Sequence, residues 1–552
     1  MAEEVWMLQT KKADFKQIGA RFRIDPVTAR IIRNRGIEGE AAIDRYLNGT
    51  LDDLYDPMLL KDMEHAVSIL CEAVDTGKKI RIVGDYDIDG VCSTYILLQA
   101  FERLGSDVDF EIPDRIKDGY GINESIIEQA HADGVEVILT CDNGISAFHQ
   151  VELAKKYGMT VVITDHHEVP LDGEKEKIPP ADAVIDPKQA DCPYPFPEIC
   201  GAVVAYKLVQ VLYARRGVPQ MEWLDLLEFA AIATVGDVMK LQDENRILVK
   251  YGLKKMAQTK NLGLRRLAEK NNLDLGAITA YHIGFVIGPC LNAGGRLKTA
   301  KEALALLRAQ SEEEAERLAE ELKELNDTRK DMTEQGTEAA KLQVESWYQK
   351  DKVLVVFLPE CHESLAGIIA GRLREYYQKP AIVLTRGEEA VKGSGRSIDE
   401  YHMFKKLTEV SDLLLKFGGH PLAAGLSLEE KNIDEFRRRL NENAGLTEED
   451  FKAKVWIDVP MPVGYVTERL VRELSCLEPF GQGNEKPLFA EKSLRIRASR
   501  VLGRNRNVVK MTLEETDGHA IEALYFGDGT AFEEERAGRG GVVAKGPNHG
   551  PA

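Results

Sequence analysis

The sequence lacks paired cysteines, long apolar runs and any surplus of positive charge. Its eight cysteines are scattered without a CxxC pair, which argues against a zinc site or a disulfide framework and is typical of a reducing compartment. No apolar run approaches the roughly 18 residues of a membrane span, and the opening "MAEEVWMLQTKK" has no apolar signal core. We therefore expect a cytoplasmic protein that does not enter membranes.

A net charge of −19 gives the protein no general affinity for nucleic acid or for anionic membranes. A polyanionic substrate would need a local basic groove or bound cations, so the charge counts against nucleic acid without excluding it. With 44% hydrophobic and 30% charged residues, the composition is that of a globular protein. A chain of 552 residues should divide into three or four domains.

Short β-branched runs alternate with helical patterns in the first half of the chain. The runs are "KIRIVGD", "SDVDFEIPD", "VEVILTCD", "MTVVITD" and "ADAVID". This alternation predicts an α/β fold with a mostly parallel sheet covered on both faces. Several runs end in aspartate, and functional groups of such sheets collect beyond the carboxyl ends of the strands.

The rest of the chain predicts a long helix, a second α/β unit and a β-rich part. The charged stretch 311–349 has apolar residues at helical spacing, and we interpret its charges as a solvated face. Short strands after about residue 446 predict a small β-barrel of the oligonucleotide-binding type. The predicted divisions are an N-terminal segment 1–50, a first α/β domain 51–308, a connecting helix 309–350, a second α/β domain 351–446, the β domain 447–530 and a glycine-rich tail 531–552.

Carboxylates and histidines form the first candidate site. A lone aspartate at a strand end is commonly a helix cap or turn former, but several converging on one sheet edge would raise each other's pKa values unless cations neutralise them. Oxygen ligands with imidazole suit Mn²⁺ or Mg²⁺, and two such ions would hold both oxygens of a displacement at phosphorus. The residues are Asp85, Asp87 and Asp89 in "IVGDYDIDG", Asp142 in "TCDNG", Asp165, His166 and His167 in "TDHHE", and Asp237 in "TVGDV".

Arginines beside glycine-rich segments form the second candidate site. Glycines let backbone N–H groups approach an anion, and the arginine fork matches two phosphate oxygens. Taken singly, an arginine is better explained by a surface ion pair, and "GSGRS" or "GGHPLAAG" is explained equally well by a tight turn. The residues are Arg115 in "IPDR", Arg296 in "NAGGR", Ser394 and Arg396 in "KGSGRS", and Gly419 and His420 in "GGHP"; His362 in "ECHES" is a further candidate or a locally packed histidine.

The order and separation of "DYDIDG", "CDNG", "DHH" and "GDV" resemble the DHH phosphoesterase superfamily, and within it the RecJ family. Supporting segments include "IPDRIKDGYGIN", "IGPCLNAGGRL", "GSGRS" and "FGGHPLAAG", so the resemblance covers roughly Leu51 to Phe489. It implies a DHH domain, a DHH-associated domain and an exonuclease that degrades single-stranded DNA from the 5′ end with two Mn²⁺ or Mg²⁺ ions, releasing mononucleotides in DNA repair and recombination.

The resemblance also implies roles for single residues. The metal ligands would be Asp85, Asp87, Asp89, Asp142, His166 and Asp237, although Asp85 has the alternative role of orienting its loop. His167 would lie beside the scissile phosphate, and His167 and Asp142 would be catalytic. The residues expected to hold the 5′ phosphate and the DNA backbone are Arg115, Arg296, Ser394, Arg396, Gly419 and His420.

Two departures from the family pattern leave questions open. Cys290 stands in "GPCLNAGGR", where many relatives have arginine, so one cationic contact is expected to be missing. The pattern weakens past "FGDGT", which puts the completeness of the β domain in doubt. The alternative functions are a DHH phosphodiesterase acting on oligoribonucleotides or cyclic dinucleotides, and a non-catalytic scaffold of a replicative helicase. By resemblance, the expected partners of a monomer are single-stranded DNA, single-strand-binding protein and a RecQ-type helicase.

Overall fold

A five-stranded parallel sheet forms the centre of the first α/β domain. The computed structural model describes residues 4–173 and 175–538. The strand order is β3-β2-β4-β5-β8, and every pairing is parallel. Strands β2 and β4 are buried along their whole length, as expected for strands covered on both faces. The strands are β2 Ile80–Val83, β3 Val108–Glu111, β4 Val137–Cys141, β5 Thr160–Thr164 and β8 Ala183–Ile185, with a small hairpin of β6 Leu171–Asp172 and β7 Lys175–Glu176.

Helices cover both faces of this sheet, so the predicted α/β class is confirmed. The central helix α5 is buried on nearly every side, because α8 and α10 pack against it. Gly236, at the end of α10, lies so close to Ile88 that a Cβ atom there would overlap it. The helices are α4 Met63–Asp75, α5 Ile88–Arg103, α6 Glu124–Ala132, α7 Phe148–Lys156, α8 Gly201–Arg216, α9 Gln220–Leu224, α10 Leu227–Gly236, α11 Asp243–Met256, α12 Leu262–Lys270, α13 Ala280–His282, α14 Gly288–Leu297 and α15 Lys301–Arg308.

The long helix α16, Glu312–Gln343, leads into the second α/β domain and ends in a π-helical turn, Val344–Tyr348. It begins at Ser311, whose side chain accepts a hydrogen bond from the Glu314 N–H, with three glutamates in the first turn. The second domain has a sheet in the order β12-β13-β11-β10-β9, parallel only between β9 and β10. Its elements are β9 Leu354–Phe357, α17 Ala366–Tyr377, β10 Ala381–Arg386, β11 Val391–Arg396, α18 Met403–Thr408, β12 Leu414–Gly419, β13 Ala423–Leu428 and α19 Ile433–Glu442.

The N-terminal segment packs against the chain that follows the second domain. Strand β1 pairs in parallel with β14, and α2 and α3 share a hydrophobic core with residues 459–489. Beyond this unit β17, β18 and β19 form an antiparallel sheet, and α21 enters the predicted tail, whose residues 539–552 lie outside the described part. The elements are β1 Glu4–Leu8, α1 Phe15–Phe22, α2 Pro26–Asn34, α3 Glu40–Asn48, β14 Ala453–Ile457, β15 Val459–Pro460, α20 Glu468–Leu474, β16 Phe489–Ala490, β17 Arg495–Leu502, β18 Val508–Glu514, β19 Ala520–Phe526 and α21 Gly529–Gly538.

Arg246 on α11 joins this terminal unit to the first domain. It is 2% exposed and donates hydrogen bonds to the carbonyls of Tyr46, Cys476 and Leu477, with its guanidinium 3.9 Å from the Tyr46 ring centroid. Arg246→Ala should destabilise the protein by roughly 3 kcal/mol or more, because each buried carbonyl left without a donor costs about 1–3 kcal/mol. Scanning calorimetry would measure this, with Arg472→Ala as a control, since its ion pair with Glu468 is exposed. An equal decrease in the unfolding temperature of both variants would contradict the prediction.

Candidate metal centre and nucleic-acid groove

The predicted acidic residues meet at the carboxyl edge of the parallel sheet. Asp85 follows β2, Asp142 follows β4, and the Asp165–His167 segment follows β5. Asp237 does not follow a strand; it is the residue that caps the C-terminus of α10. Parallel strands end at the same edge, so segments far apart in the sequence form one acidic centre.

Two groups that share no residue are formed by the six predicted ligands, and the ligand atoms within each group lie within 4.8 Å of one another. One group comprises Asp85, Asp87 and Asp142, and the other comprises Asp89, His166 and Asp237. The His166 Nε2 atom connects them, at 3.1 Å from Asp142 Oδ1 and 3.4 Å from Asp89 Oδ2. All six predicted ligands are therefore brought together.

Backbone N–H groups hold the carboxylates in place. Asp87 caps α5 by accepting hydrogen bonds from the N–H groups of Asp89 and Gly90. Asp89 accepts from Gly201 at 2.6 Å and from Ala202 at 2.7 Å, at the start of α8, where the helix dipole favours negative charge. Asp85 accepts from Gly121 at 3.2 Å, so it both orients a loop and belongs to the acidic centre.

Burial and mutual repulsion raise the free energy of the ionised carboxylates in this centre when no cation is bound. Burial, followed by the charge of Asp87, raises the pKa of Asp85 to about 8. Burial and the charges of Asp89 and Asp87 raise the pKa of Asp237 to about 8, and the pKa of Asp142 lies well above its usual range for the same reasons. Burial also lowers the pKa of His166, which keeps its imidazole neutral.

These residues fit a hard divalent cation. Asp142 Oδ1 is buried and accepts no hydrogen bond from the described residues, so it is an oxygen ligand in need of a positive partner. Oxygen donors with one neutral imidazole suit Mn²⁺ or Mg²⁺, as predicted. Such ions would be held by the two groups of ligand atoms defined above.

His167 lies at the exposed edge of the centre, with a ring nitrogen within 4.8 Å of ligand atoms of Asp142 and His166, and it is fixed by two neighbours. Its Nδ1 atom lies 2.7 Å from Asp165 Oδ1 and 3.0 Å from the Tyr120 hydroxyl, which itself donates to the Asp142 carbonyl. Burial disfavours the charged imidazole, but the hydrogen bond with Asp165 and the carboxylate charges outweigh it and raise the pKa of His167 to about 9. His167 is therefore a half-exposed cation beside the acidic centre.

An arginine-lined cavity of about 640 Å³ opens beside the acidic centre. It is lined by four of the predicted phosphate-binding residues, Arg115, Arg296, Ser394 and Arg396, together with Lys392. The Arg115 guanidinium lies 4.0 Å from the ring centroid of Tyr86, the residue between Asp85 and Asp87. Arg296 donates to the Ser364 carbonyl at 3.0 Å, so this cavity spans both α/β domains.

The glycine-rich segments are not the loops that a phosphate cradle or tight turn requires. "GSGR" belongs to strand β11, where Cβ atoms at Gly393 and Gly395 would press on Leu384 and Met403. "NAGGR" lies within helix α14, and a Cβ at Gly295 would lie 2.3 Å from the Tyr86 carbonyl oxygen. Their glycines permit close packing that places Ser394, Arg396 and Arg296 in the cavity.

Gly419, His420 and His362 lie outside this cavity. Gly419 ends β12 with a φ of 150°, and His420 begins the exposed turn to β13. Its imidazole is not among the lining groups, although Gly425, on the facing strand, is. His362 contacts Ser364 Oγ at 2.8 Å, which fits the local packing alternative. The binding role of Gly419 and His420 stays a prediction.

Comparison with known proteins decides the family. Three domain models match: DHH family, N-terminal domain, over residues 79–234; DHHA1 domain over 350–445; and RecJ OB domain over 457–544. The chain is 34% identical to the single-stranded-DNA-specific exonuclease RecJ of Haemophilus influenzae, over 92% of this chain and 90% of that protein. The chain belongs to the RecJ family. The Bacillus subtilis RecJ is 36% identical over 96% of this chain, which spans 66% of that relative's length.

Solved structures of RecJ proteins agree with this membership. The crystal structure of RecJ from Thermus thermophilus in complex with Mn²⁺ matches with a TM-score of 0.79 and 29% identity, over 94% of this chain and 76% of that chain. The corresponding Mg²⁺ complex matches with a TM-score of 0.72. The predicted fold class, with its two α/β domains and an oligonucleotide-binding domain, is confirmed, and the predicted metals are those found in these relatives.

One arginine whose charge acts on the arginine-lined cavity was not among the predicted residues. Arg329, on α16, has no carboxylate within 4.0 Å among the described residues, and its charge contributes to the lowered pKa of Arg296. Cys290 is fully buried and contacts the Asn326 side chain of the same helix at 3.4 Å. Position 290, where a cationic contact was expected to be missing, thus faces α16 close to Arg329. The available signal was that no acid stands three or four residues from Arg329, the positions that lie beside it on a helix.

Proposed function

We propose that this chain is a metal-dependent exonuclease that hydrolyses single-stranded DNA from the 5′ end and releases mononucleotides. The observation that carries the proposal is the contact between the acidic centre and the arginine-lined cavity, joined by Arg115 against Tyr86. A terminal phosphate in the cavity would place the next phosphodiester at the acidic centre, so digestion proceeds from one end. The family's named activity, single-stranded-DNA-specific exonuclease, supports the reaction class.

The residues of the acidic centre have different roles in the proposed reaction. Divalent ions, when bound by the six ligands, supply activation of the attacking water and neutralise charge at the phosphate. Protonated His167 donates a hydrogen bond to a phosphate oxygen or a proton to the leaving oxygen, because its pKa of about 9 keeps it charged near neutral pH. Asp165 and Tyr120 hold its ring in position.

Local clusters of positive charge allow a protein with a net charge of −19 to bind DNA. Five arginines without a carboxylate within 4.0 Å among the described residues form one group: Arg115, Arg296 and Arg396 line the cavity, the charge of Arg329 acts on Arg296, and the charge of Arg372 acts on Arg329. A second group lies between residues 492 and 513, which contain seven cations and no acid. These are Lys492, Arg495, Arg497, Arg500, Arg504, Arg506 and Lys510. Positive charge concentrated in these two regions supports a path for one strand, although Arg497, Arg506 and Lys510 each pair with a glutamate.

Exposed aromatic rings near the acidic centre supply stacking surfaces. Tyr281 and Phe285 are 48% and 51% exposed, with ring centroids 4.9 Å apart. Tyr281 lies on α13, and Phe285 lies in the helical turn 283–287 that follows it and packs on α10, the helix capped by Asp237. Bases of a single strand can stack here, whereas paired bases of a duplex are not available for stacking.

Phe285→Ala should weaken binding of single-stranded DNA by roughly 5- to 100-fold, since stacking on one aromatic ring contributes about 1–3 kcal/mol. Hydrolysis of a dinucleotide, too short to reach the ring, should change little. Fluorescence anisotropy with a labelled strand measures the first effect and product chromatography the second. Tyr376→Ala, which removes an exposed ring in the second domain, is the control. Equal losses in both variants would refute a specific stacking role.

The proposal is tested with Mn²⁺ and one strand labelled at either end. We expect the 5′ label to be released at once as a mononucleotide and the 3′ label to remain on shortening fragments. Blunt duplex should be degraded far more slowly than the single strand. Cleavage of dinucleotides alone would favour the phosphodiesterase alternative, and no cleavage of any substrate would favour the scaffold. We further place the enzyme in DNA repair and recombination, with single-strand-binding protein and a RecQ-type helicase as candidate partners.

A further inference from the structure

Two arginines beside the arginine-lined cavity have no acidic partner in the described part of the chain. Arg329 is half-buried on α16 and Arg372 is exposed on α17, and no carboxylate of the described residues lies within 4.0 Å of either guanidinium. The Arg329 Nε atom donates a hydrogen bond to Asn326 Oδ1 at 3.1 Å, which fixes its guanidinium. We call Arg329 and Arg372 the outer arginine pair. Because neither charge is neutralised by an acid, an anion between them would stabilise both.

The outer arginine pair lies on two helices that pack against each other. Helices α16 and α17 are in contact, and a Cβ atom at Gly336 of α16 would lie 2.6 Å from Ile369 Cδ1 of α17. Arg329 lies about two turns before Gly336, and Arg372 lies about one turn after Ile369, so each is on the contacting side of its helix. Burial and then the charge of Arg372 lower the pKa of Arg329, as expected for like charges that are close together.

The outer arginine pair continues the positive lining of the arginine-lined cavity. Ile368 lines the cavity, and Arg372 follows it by four residues, so Arg372 projects from the same face of α17 one turn farther on. Burial and then the charges of Arg115 and Arg329 lower the pKa of Arg296, which lines the cavity, to about 10. A carboxylate of the acidic centre acts on the pKa of Arg296 as well, but none acts on that of Arg329. The outer pair is therefore farther from the acidic centre than Arg296 is.

A single terminal phosphate would leave the outer arginine pair without a partner. The cavity, at about 640 Å³, is within the range of sites for whole small molecules and is far larger than one phosphate group. A Cβ atom at Gly367 would lie 2.9 Å from side-chain atoms of both Ser394 and Arg396, whereas no atom of the described residues lies within 4 Å of that position at Gly371. The surface of α17 is thus filled beside Arg396 and open beside Arg372. A longer anion has room to extend there.

We propose that the outer arginine pair binds the second and third phosphates of a 5′ triphosphate, so that the protein accepts single strands whose first nucleotide carries a phosphate chain. The inference rests on the proposed function, since the first phosphate then occupies the arginine-lined cavity and the next phosphodiester lies at the acidic centre. Each further phosphate adds negative charge and oxygens that the arginine fork matches in two places.

The products of such a strand follow from the proposed reaction. Hydrolysis joins the oxygen of water to the phosphorus of the first phosphodiester and breaks the bond from that phosphorus to the 3′ oxygen, which takes a proton. The phosphate chain is not cleaved. The first product is therefore a nucleoside triphosphate, and the remaining strand begins with a 5′ monophosphate.

The test is the binding of a single strand of DNA, labelled with fluorescein at its 3′ end, to the full chain in EDTA. The strand carries a hydroxyl, a monophosphate or a triphosphate at its 5′ end. We expect the triphosphate strand to bind at least about tenfold more tightly than the monophosphate strand, because hydrogen bonds between charged groups change affinity by factors of this order. Arg372→Ala, at an exposed position, should reduce this ratio to about twofold or less.

The control is Arg438→Ala, which removes an exposed arginine from α19 of the same domain. This arginine pairs with Glu435 and Glu442, so its loss should preserve the tenfold ratio. Equal reductions by Arg372→Ala and Arg438→Ala would overturn the inference, since the preference would then follow net charge alone. If Arg372→Ala weakens all three strands by the same factor, the outer pair binds a backbone phosphate and the inference is also overturned.

Two further outcomes separate this inference from the proposed function. Equal binding of the monophosphate and triphosphate strands to the parent protein would overturn the inference and leave the proposed reaction intact. With Mn²⁺, a nucleoside triphosphate as the first product would support it, whereas a triphosphate strand that stays intact while the monophosphate strand is degraded would overturn it. Failure of the proposed function gives a different result, because neither strand would then be cleaved.

Discussion

Asp142→Asn should reduce nuclease activity by about 10³-fold or more, which corresponds to roughly 4 kcal/mol of lost transition-state stabilisation. Asp142 is the carboxylate in contact with both groups of ligand atoms, being a member of one and 3.1 Å from His166 in the other. Its φ of 61° lies in the left-handed region, which asparagine adopts readily and alanine does not. Asparagine therefore removes the charge without straining the backbone. The measurement is the initial rate on 5′-phosphorylated single-stranded DNA across a range of Mn²⁺ concentrations.

Although Asp142→Asn should reduce activity, it should increase the stability of the metal-free protein. Burial and neighbouring charges raise the pKa of Asp142, so its ionised form destabilises the folded state. Removing that charge should raise the unfolding midpoint in EDTA by roughly 2–4 °C, the shift that about 1 kcal/mol produces in a domain of this size. Asp191→Asn, at an exposed ion pair with Lys61, should alter neither property. Near-full activity of Asp142→Asn would disprove the metal-site assignment.

The acidic centre could be predicted from the sequence because its geometry follows from topology. Asp85, Asp142 and His166 each lie within two residues of the end of a parallel strand, and such strands end at one edge. Asp237 was a candidate as well, but no strand precedes it, and only the resemblance gave it the role of a ligand; the end of α10 positions it. Tyr120 was not predicted, because a tyrosine in a loop after β3 shows no pattern that relates it to His167.

Other parts of the structure depend on contacts that short-range patterns do not contain. The pairing of β1 with β14 joins residues about 450 positions apart, so the segment 1–50 gave no sign that it shares a core with residues 459–489. The glycines of "GSGRS" and "NAGGR" suggested loops, whereas they allow a strand and a helix to approach their neighbours. The charges of α16 were interpreted as a solvated face. This interpretation fits its glutamates but not Arg329, whose guanidinium is partly buried.

Arg396→Ala should raise the KM for 5′-phosphorylated single-stranded DNA by roughly 10- to 100-fold and leave kcat nearly unchanged. Arg396 lines the cavity, and its Nη1 donates to Ser394 Oγ and the Gly395 carbonyl, which fixes the guanidinium there. A hydrogen bond to a charged partner contributes about 1.5–3 kcal/mol. Because a bound 5′ phosphate stays in place through the reaction, its loss affects the ground state and the transition state alike.

A strand with a 5′ hydroxyl separates the two roles that Arg396 can have. If Arg396 holds the terminal phosphate, the variant and the parent protein should differ little on the hydroxyl strand, because the group that Arg396 contacts is absent from both reactions. If it holds an internal phosphate, both strands should be affected equally. Arg386→Ala is the matched control, since this arginine lies on the neighbouring strand β10, outside the cavity, and contacts Glu430. Fragments that shorten from the 3′ end would contradict the 5′ assignment altogether, and the arginine-lined cavity would then bind the departing strand.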